Sequence, residues 1–136
     1  MGSGTGLGRV RGLGSAKSGS HHWWIQRVTA VGNILLGLWF IFSLLRLPDL
    51  SHGTVTTWLA SPLAAVPMAL MVINICWHFR IGLQVVIEDY IHGGTRVMTL
   101  GLLHLWTFAA GGFALYSIFK IAFTAAATAT TGAPAQ

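Results

Sequence analysis

The chain has 136 residues, of which 54% are hydrophobic and only 8% are charged. A soluble domain carries about 25% charged residues, so this composition excludes an ordinary water-exposed globule. The formal net charge of +5 does not indicate nucleic-acid binding, because the basic residues are scattered along the chain rather than clustered. The single cysteine, Cys76, provides neither a disulfide framework nor a thiolate metal site.

Residues 1–20 are rich in Gly and Ser, basic, and free of acidic side chains. They lack the apolar stretch of a secretory signal, and their many glycines argue against the amphipathic helix of an organelle transit peptide. We therefore predict a flexible basic tail that stays on the cytoplasmic side.

Three apolar stretches follow, and each is long enough to cross a bilayer, which requires about 20 predominantly apolar residues. Because a backbone in hydrocarbon must satisfy its own hydrogen bonds, each stretch is expected to be a helix. The predicted helices cover residues 24–46, 58–88 and 96–122, within one transmembrane domain over residues 21–123. The predicted fold class is an all-α membrane protein with three transmembrane helices.

The segments between and after these helices have the composition of loops. Pro48, Asp49 and Ser51 make the first connection a polar break, and Gly93 and Gly94 make the second a tight turn. Residues 124–136 are a low-complexity run dominated by Ala and Thr. This run predicts a disordered C-terminal tail.

The distribution of Lys and Arg predicts the orientation in the membrane. The basic N-terminal tail, Arg27 and Arg96 fall on one side, whereas only Arg46 and Lys120 fall on the other. The asymmetry favours a cytoplasmic N-terminus in a multi-pass protein of the bacterial cytoplasmic (inner) membrane.

The second predicted helix carries a histidine in its interior. At about 100° per residue, Asn74, His78, Gly82 and Asp89 share one face. His78 lies roughly 16 Å along the helix axis from Asp89, so its imidazole is deep in the membrane and must find a partner. A haem iron is one such partner, and a hydrogen bond to a neighbouring helix is another. His104 on the third helix is a rival ligand, and spacing alone does not choose between them.

Arg80 is rotated by about 200° from His78 and faces elsewhere. Its guanidinium can snorkel towards the interface, pair with an acidic group of another subunit, or approach a haem propionate. The sequence leaves these three options open.

The second helix ends with Glu88, Asp89 and Tyr90 at the predicted inner interface. A phenol and a carboxylate at the membrane edge suit quinone chemistry, because the hydroxyl donates to a carbonyl oxygen and the carboxylate supplies protons. On these residues alone, an ordinary helix end with an interfacial tyrosine is the more common explanation.

Residues 77–93, WHFRIGLQVVIEDYIHG, resemble the signature of the smaller membrane-anchor subunit, the D chain, of succinate dehydrogenase (respiratory complex II). Residues 21–30, HHWWIQRVTA, are similar to the segment that opens the first helix in that family. The similarity covers about residues 7–122, and the motif on the second helix is its specific part.

The resemblance implies a role for individual positions. His78 matches the axial ligand of a b-type haem whose second ligand is a histidine on the partner anchor chain. Tyr90 matches the tyrosine that hydrogen-bonds the quinone, and Asp89 matches the acid beside it. Arg27 and His21 match residues near the haem propionates. Arg80 departs from the pattern, and neither His92 nor His104 has an assigned role.

The resemblance also implies the function. The chain is expected to be a membrane-anchor subunit of succinate:ubiquinone oxidoreductase and to form half of a heterodimeric haem-binding anchor bundle. The expected cofactor is a haem b shared with a second cytochrome b anchor chain, and ubiquinone is the substrate. An iron–sulfur subunit, a flavoprotein subunit and membrane lipid are the other partners; the isolated chain catalyses nothing and binds no nucleic acid. The alternatives are a fumarate reductase anchor and a non-haem structural or transport subunit.

Overall fold

The computed structural model of the chain describes residues 5–6 and 19–131. Residues 19–131 form four α-helices, with no strand among them. In chain order they are α1 (Gly19–Leu45), α2 (His52–Ala60), α3 (Pro62–Tyr90) and α4 (Gly94–Thr131).

Three of the helices are long and apolar enough to cross a membrane. The candidate spans are Gly19–Leu45, Pro62–Tyr90 and Gly94–Ala125. Large apolar side chains point outward along them; Leu35 is 63% exposed and Phe113 is 74% exposed. Such a surface is compatible with lipid and not with water. The all-α fold with three transmembrane helices is confirmed.

The predicted second helix, residues 58–88, is wrong at its start. The helix is interrupted at Ser61, between α2 and α3. Pro62 restricts the preceding residue to an extended conformation, and Ser61 has φ −73° and ψ 138°. The short helix α2 occupies part of the predicted loop. Its first turn is capped by Ser51, whose hydroxyl accepts from the Thr54 amide. The Ser51 hydroxyl and amide also donate to Asp49, which lowers the pKa of that carboxyl below its usual value.

The two outer helices extend beyond their predicted ends. α1 starts at Gly19 rather than residue 24, and α4 continues to Thr131 rather than ending at residue 122. The structure thus places residues 124–131, part of the predicted disordered tail, within α4. Ala is the strongest helix former, and no Gly or Pro interrupts the run before Gly132. Residues 132–136, and most of the predicted N-terminal tail (residues 1–4 and 7–18), lie outside the described part of the chain.

α3 is the central helix and packs against α1 on one side and α4 on the other. Two glycines mark where the neighbouring helices come close. A Cβ on Gly32 of α1 would lie 2.8 Å from Nδ2 of Asn74, and a Cβ on Gly111 of α4 would lie 3.2 Å from Sγ of Cys76. Small residues at such crossings are typical of membrane helix packing.

The two ends of the bundle are closed differently. At one end, Leu59, Ala65 and Ile118 join α2, α3 and α4 in a small apolar cluster. At the other end, α3 and α4 meet in the predicted tight turn, where Gly93 has φ +70° and Glu88 pairs with Arg96 at 3.4 Å. The start of α1, the end of α3 and the start of α4 therefore lie on one side of the membrane domain, here named the N-terminal side.

We expect Gly32→Ala to destabilise the packing of α1 on α3. The added methyl group would collide with Asn74, which cannot swing aside without breaking its hydrogen bonds to Thr29 and Asn33. Overpacking of this kind lowers the free energy of unfolding by about 1–3 kcal/mol. Thermal unfolding of the detergent-purified protein in its native assembly measures the loss.

Gly37→Ala is the matched control, because nothing lies within 4 Å of a Cβ at Gly37 of the same helix. Equal melting temperatures for the two variants would contradict the close approach at Gly32.

Candidate functional site

The polar face of α3 is turned towards α1, as the helical periodicity predicts. Asn74 donates through Nδ2 to the Thr29 carbonyl oxygen at 2.8 Å and to Oδ1 of Asn33 at 2.7 Å. One turn along α3, Nδ1 of His78 lies 3.0 Å from Oγ1 of Thr29. These contacts form a polar seam, defined here as Thr29, Asn33, Asn74 and His78, between two membrane-spanning helices. The seam fixes the register of α1 against α3.

The hydrogen bonds of Thr29 assign the tautomer of His78. The Thr29 hydroxyl has a single proton and lies 2.8 Å from the Ile25 carbonyl oxygen and 3.2 Å from that of Gln26. It donates to its own helix, as threonines in helices commonly do, and therefore acts as the acceptor towards His78. Nδ1 then carries the imidazole proton, and Nε2 keeps its lone pair.

This arrangement is the one that a metal-bound histidine needs. A ligating imidazole usually donates its other N–H to an oxygen acceptor, which fixes the ring and raises the basicity of the ligating nitrogen. Within residues 19–131 the Nε2 atom of His78 has no hydrogen-bond partner. The sequence-level alternative, a bond from His78 to a neighbouring helix, is also realised, but it uses only one of the two ring nitrogens.

A cavity of about 510 Å³ opens beside the seam, between the start of α1 and the end of α3. It contains Gly82, one turn beyond His78, where a Cβ would lie 3.3 Å from Nε2 of Gln26. It also contains Arg27, whose guanidinium stacks over the Trp23 ring at 4.9 Å. Two predicted site positions, Gly82 and Arg27, thus meet in one cavity on the N-terminal side.

His22, rather than His21, lines this cavity. His21 is exposed, and the described contacts do not bring it to the site. The signal was available in the sequence, because His22, Gln26, Thr29 and Asn33 follow the spacing i, i+4, i+7, i+11 of a single helix face. The proposed role of His21 near the propionates stays a prediction.

Asp89 and Tyr90 lie at the end of α3, on the same side of the membrane domain as the cavity. Tyr90 is 80% exposed, and Asp89 is also exposed. The adjacent acid Glu88 is engaged, since it accepts from Gln84 at 3.1 Å and pairs with Arg96. Among the described residues Asp89 has no such partner.

His104 lies apart from these groups. It is on α4, its Nδ1 contacts the Leu100 carbonyl oxygen of its own helix at 2.6 Å, and it lines neither of the two cavities described for this chain. Within the described residues no three His, Cys, Asp or Glu side chains cluster as a metal site would require.

Comparison with known proteins identifies the family. A model of the succinate dehydrogenase/fumarate reductase transmembrane subunit family matches residues 1–131. The chain belongs to this family. The resemblance seen in residues 77–93 is thereby confirmed.

Individual relatives agree with the family assignment. The succinate dehydrogenase hydrophobic membrane anchor subunit of Rickettsia bellii is 40% identical over 83 residues, which are 61% of this chain and 66%, just under two thirds, of that protein. The subunit of the same name from Paracoccus denitrificans is 32% identical over 112 residues, which are 82% of this chain and 87% of that protein.

Proposed function

We propose that the chain is a membrane-anchor subunit of a succinate:ubiquinone oxidoreductase, in which it supplies one axial ligand of a haem b and part of the quinone site. The observation that carries the proposal is the contact of His78 Nδ1 with the Thr29 hydroxyl at 3.0 Å inside a membrane span, which leaves Nε2 without a partner among the described residues. The names of the relatives support succinate dehydrogenase. The family description also covers fumarate reductases, which remain the second candidate.

His78, which does not itself line the α1–α3 cavity but lies one turn from Gly82, and the residues of that cavity are suited to a haem. His78 would hold the iron through Nε2, and Gly82 would leave room for the ring one turn away. Arg27 would balance the negative charge of the propionates, with His22 beside it in the cavity. A role for His21 near the propionates rests on the family resemblance alone. When bound, a haem supplies one-electron transfer. The protein's part is to hold, orient and charge-balance the group.

The depth of His78 in the membrane supports the assignment. It lies twelve residues before Tyr90, which is roughly 18 Å along the helix axis. An imidazole nitrogen without a partner in hydrocarbon is costly, and a metal bond removes that cost. A second histidine would come from a second cytochrome b anchor chain, and the two chains would then be the halves of one haem-binding bundle.

Tyr90 and Asp89 are proposed to form this chain's part of the quinone site. The Tyr90 hydroxyl would donate to a carbonyl oxygen of ubiquinone, and Asp89 would exchange protons with it. The exposure of both side chains means that other chains complete the pocket walls. The proposed partners are the second anchor chain, an iron–sulfur subunit and a flavoprotein subunit. The flavoprotein oxidises succinate, and the isolated anchor catalyses no reaction.

The excess of Lys and Arg on the N-terminal side supports an orientation with that side in the cytoplasm. In this orientation Tyr90 emerges where cytoplasmic subunits dock. We infer that the chain resides in the bacterial cytoplasmic membrane with a cytoplasmic N-terminus.

Replacing His78 with Ala tests the haem assignment. The complex carrying the variant should lose the low-spin spectrum of a haem with two histidine ligands, either by losing the haem or by converting it to a high-spin form. Optical and electron paramagnetic resonance spectra of the purified complex measure this change. His104→Ala is the control and should keep the wild-type spectrum. An unchanged spectrum for the His78 variant would rule out the assignment, and a colourless wild-type complex would favour a non-haem structural or transport subunit.

Thr29→Val should raise the midpoint potential of the haem and release the haem about 10–100-fold more readily. Val keeps the shape of Thr but removes the acceptor for Nδ1–H, so the imidazole becomes a weaker donor to the oxidised iron. The Thr29 carbonyl used by Asn74 is unaffected. Thr29→Ser should restore both properties. A wild-type potential in the Val variant, measured by redox titration, would show that Thr29 has no influence on the ligand.

Tyr90→Phe should lower quinone reduction by roughly tenfold, the effect of losing one hydrogen bond of about 1.4 kcal/mol. Succinate oxidation by an artificial dye should persist, because that reaction bypasses the quinone site. Tyr116→Phe, a matched change at an exposed position of α4, should leave both rates unchanged. Equal loss of both activities in the Tyr90 variant would indicate failed assembly and argue against a quinone contact.

A further inference from the structure

The proposed haem and quinone sites leave Arg80 unused. Its side chain lines a second cavity of about 290 Å³, which lies between α3 and α4. Arg80 is the one charged residue in a lining that is otherwise almost entirely apolar, with Trp77, Phe108 and Gly111 among its members. The groove lies on a different side of α3 from His78, because Arg80 is rotated by about 200° from it.

The guanidinium of Arg80 is only partly satisfied by its own chain. Its Nε atom is buried and has no hydrogen-bond partner among the described residues. The guanidinium carbon lies 5.0 Å from the centroid of the Trp77 ring, a cation–π contact that neutralises no charge. A guanidinium in a membrane span is costly unless it meets a counter-charge or faces water.

The chain itself has no counter-charge to offer. It contains only three acidic residues. Asp49 is in the loop at the opposite end of the bundle and binds Ser51. Glu88 pairs with Arg96. Asp89 lies nine residues further along α3, roughly 14 Å away along the helix axis. An acidic side chain of this chain is therefore not the counter-charge of Arg80.

The direction of the side chain argues against a lipid phosphate as the counter-charge. Arg80 is ten residues from Tyr90, so it is roughly 15 Å from the nearer end of α3. Its guanidinium stacks on Trp77, which is three residues earlier and hence deeper in the membrane. Side chains in helices lean towards the helix N-terminus, which here is away from the nearer interface. The guanidinium thus points to a depth where lipid headgroups are absent.

We propose that the α3–α4 groove receives a transmembrane helix of a partner chain and that a carboxylate on this helix pairs with Arg80. Gly112 of α4 is in the groove lining and exposed, and nothing lies within 4 Å of a Cβ built on it, so it leaves space for a close helix approach. Bidentate pairing with a carboxylate would satisfy the buried Nε. The proposal rests on the chain being a subunit of a membrane complex, as proposed above, and does not require the haem.

Photo-crosslinking in the native membrane tests the occupant of the groove. The photoreactive residue p-benzoylphenylalanine is placed at Phe108, which lines the groove, or at Phe113, which does not line it and is 74% exposed. The photoreactive residue at position 108 should crosslink to a partner chain. The crosslinked peptide should be transmembrane and should carry an Asp or Glu within one helical turn of the attachment point. Mass spectrometry identifies that peptide. Crosslinks to lipid alone, or to a helix without an acidic residue, would overturn the proposal.

Charge changes at Arg80 test the ion pair. Arg80→Met should reduce copurification of the crosslinked partner by roughly tenfold or more, since it leaves a carboxylate unpaired in the membrane. Arg80→Lys keeps the positive charge and should therefore retain most of the copurification. Neutralising the identified carboxylate, Asp to Asn or Glu to Gln, should restore assembly in the Arg80→Met background.

Unchanged copurification with Arg80→Met would contradict the pairing. So would a failure of the neutralised partner carboxylate to restore assembly in the Arg80→Met background. The complex that still assembles should keep its low-spin haem spectrum. Loss of the pairing is therefore distinguishable from failure of the proposed haem function, which the His78 variant reports.

Discussion

The hydrogen bond from His78 to Thr29 joins the two halves of the proposed site. It crosses from α3 to α1 inside a candidate membrane span, and with Thr29 donating to its own helix it assigns the imidazole proton to Nδ1. Because the Thr29 proton is donated to the Ile25 carbonyl, the bond leaves Nε2 of His78 as a lone-pair donor. Asn74 binds the Thr29 carbonyl one turn away, so the same residue that orients the ligand also fixes the helix register. The packing of α1 on α3 and the proposed haem ligation therefore depend on one polar seam.

Much of the architecture could be predicted from the sequence, because hydrocarbon permits few solutions. Apolar length identified the three spans, and the helical period placed Asn74 and His78 on one face, which the contacts with α1 confirm. The break at Ser61 was missed although Ser61–Pro62 is a recognisable helix start. The simple composition of residues 124–131 is typical of disorder, yet the structure continues α4 through them, and their alanines are strong helix formers.

The sequence predicts which residues of the site share a face of one helix, but not which residues of different helices are in contact. That Thr29 is the partner of His78 depends on how far α1 slides along α3, and no local pattern encodes that distance. The choice between His21 and His22 could have been made from the helix face shared with Gln26 and Asn33. Only the folded structure distinguishes the two acids at the end of α3, because Glu88 pairs with Arg96 across the turn and Asp89 does not.

An electron cryomicroscopy map of the complex purified from its native membrane tests the central claim most directly. The account predicts porphyrin density beside Gly82, with the iron bonded to Nε2 of His78 and Nδ1 of the same ring on the Thr29 hydroxyl. A map in which the haem is bound through His104, or in which His78 donates Nε2–H to a protein oxygen and no porphyrin lies near α3, would contradict it.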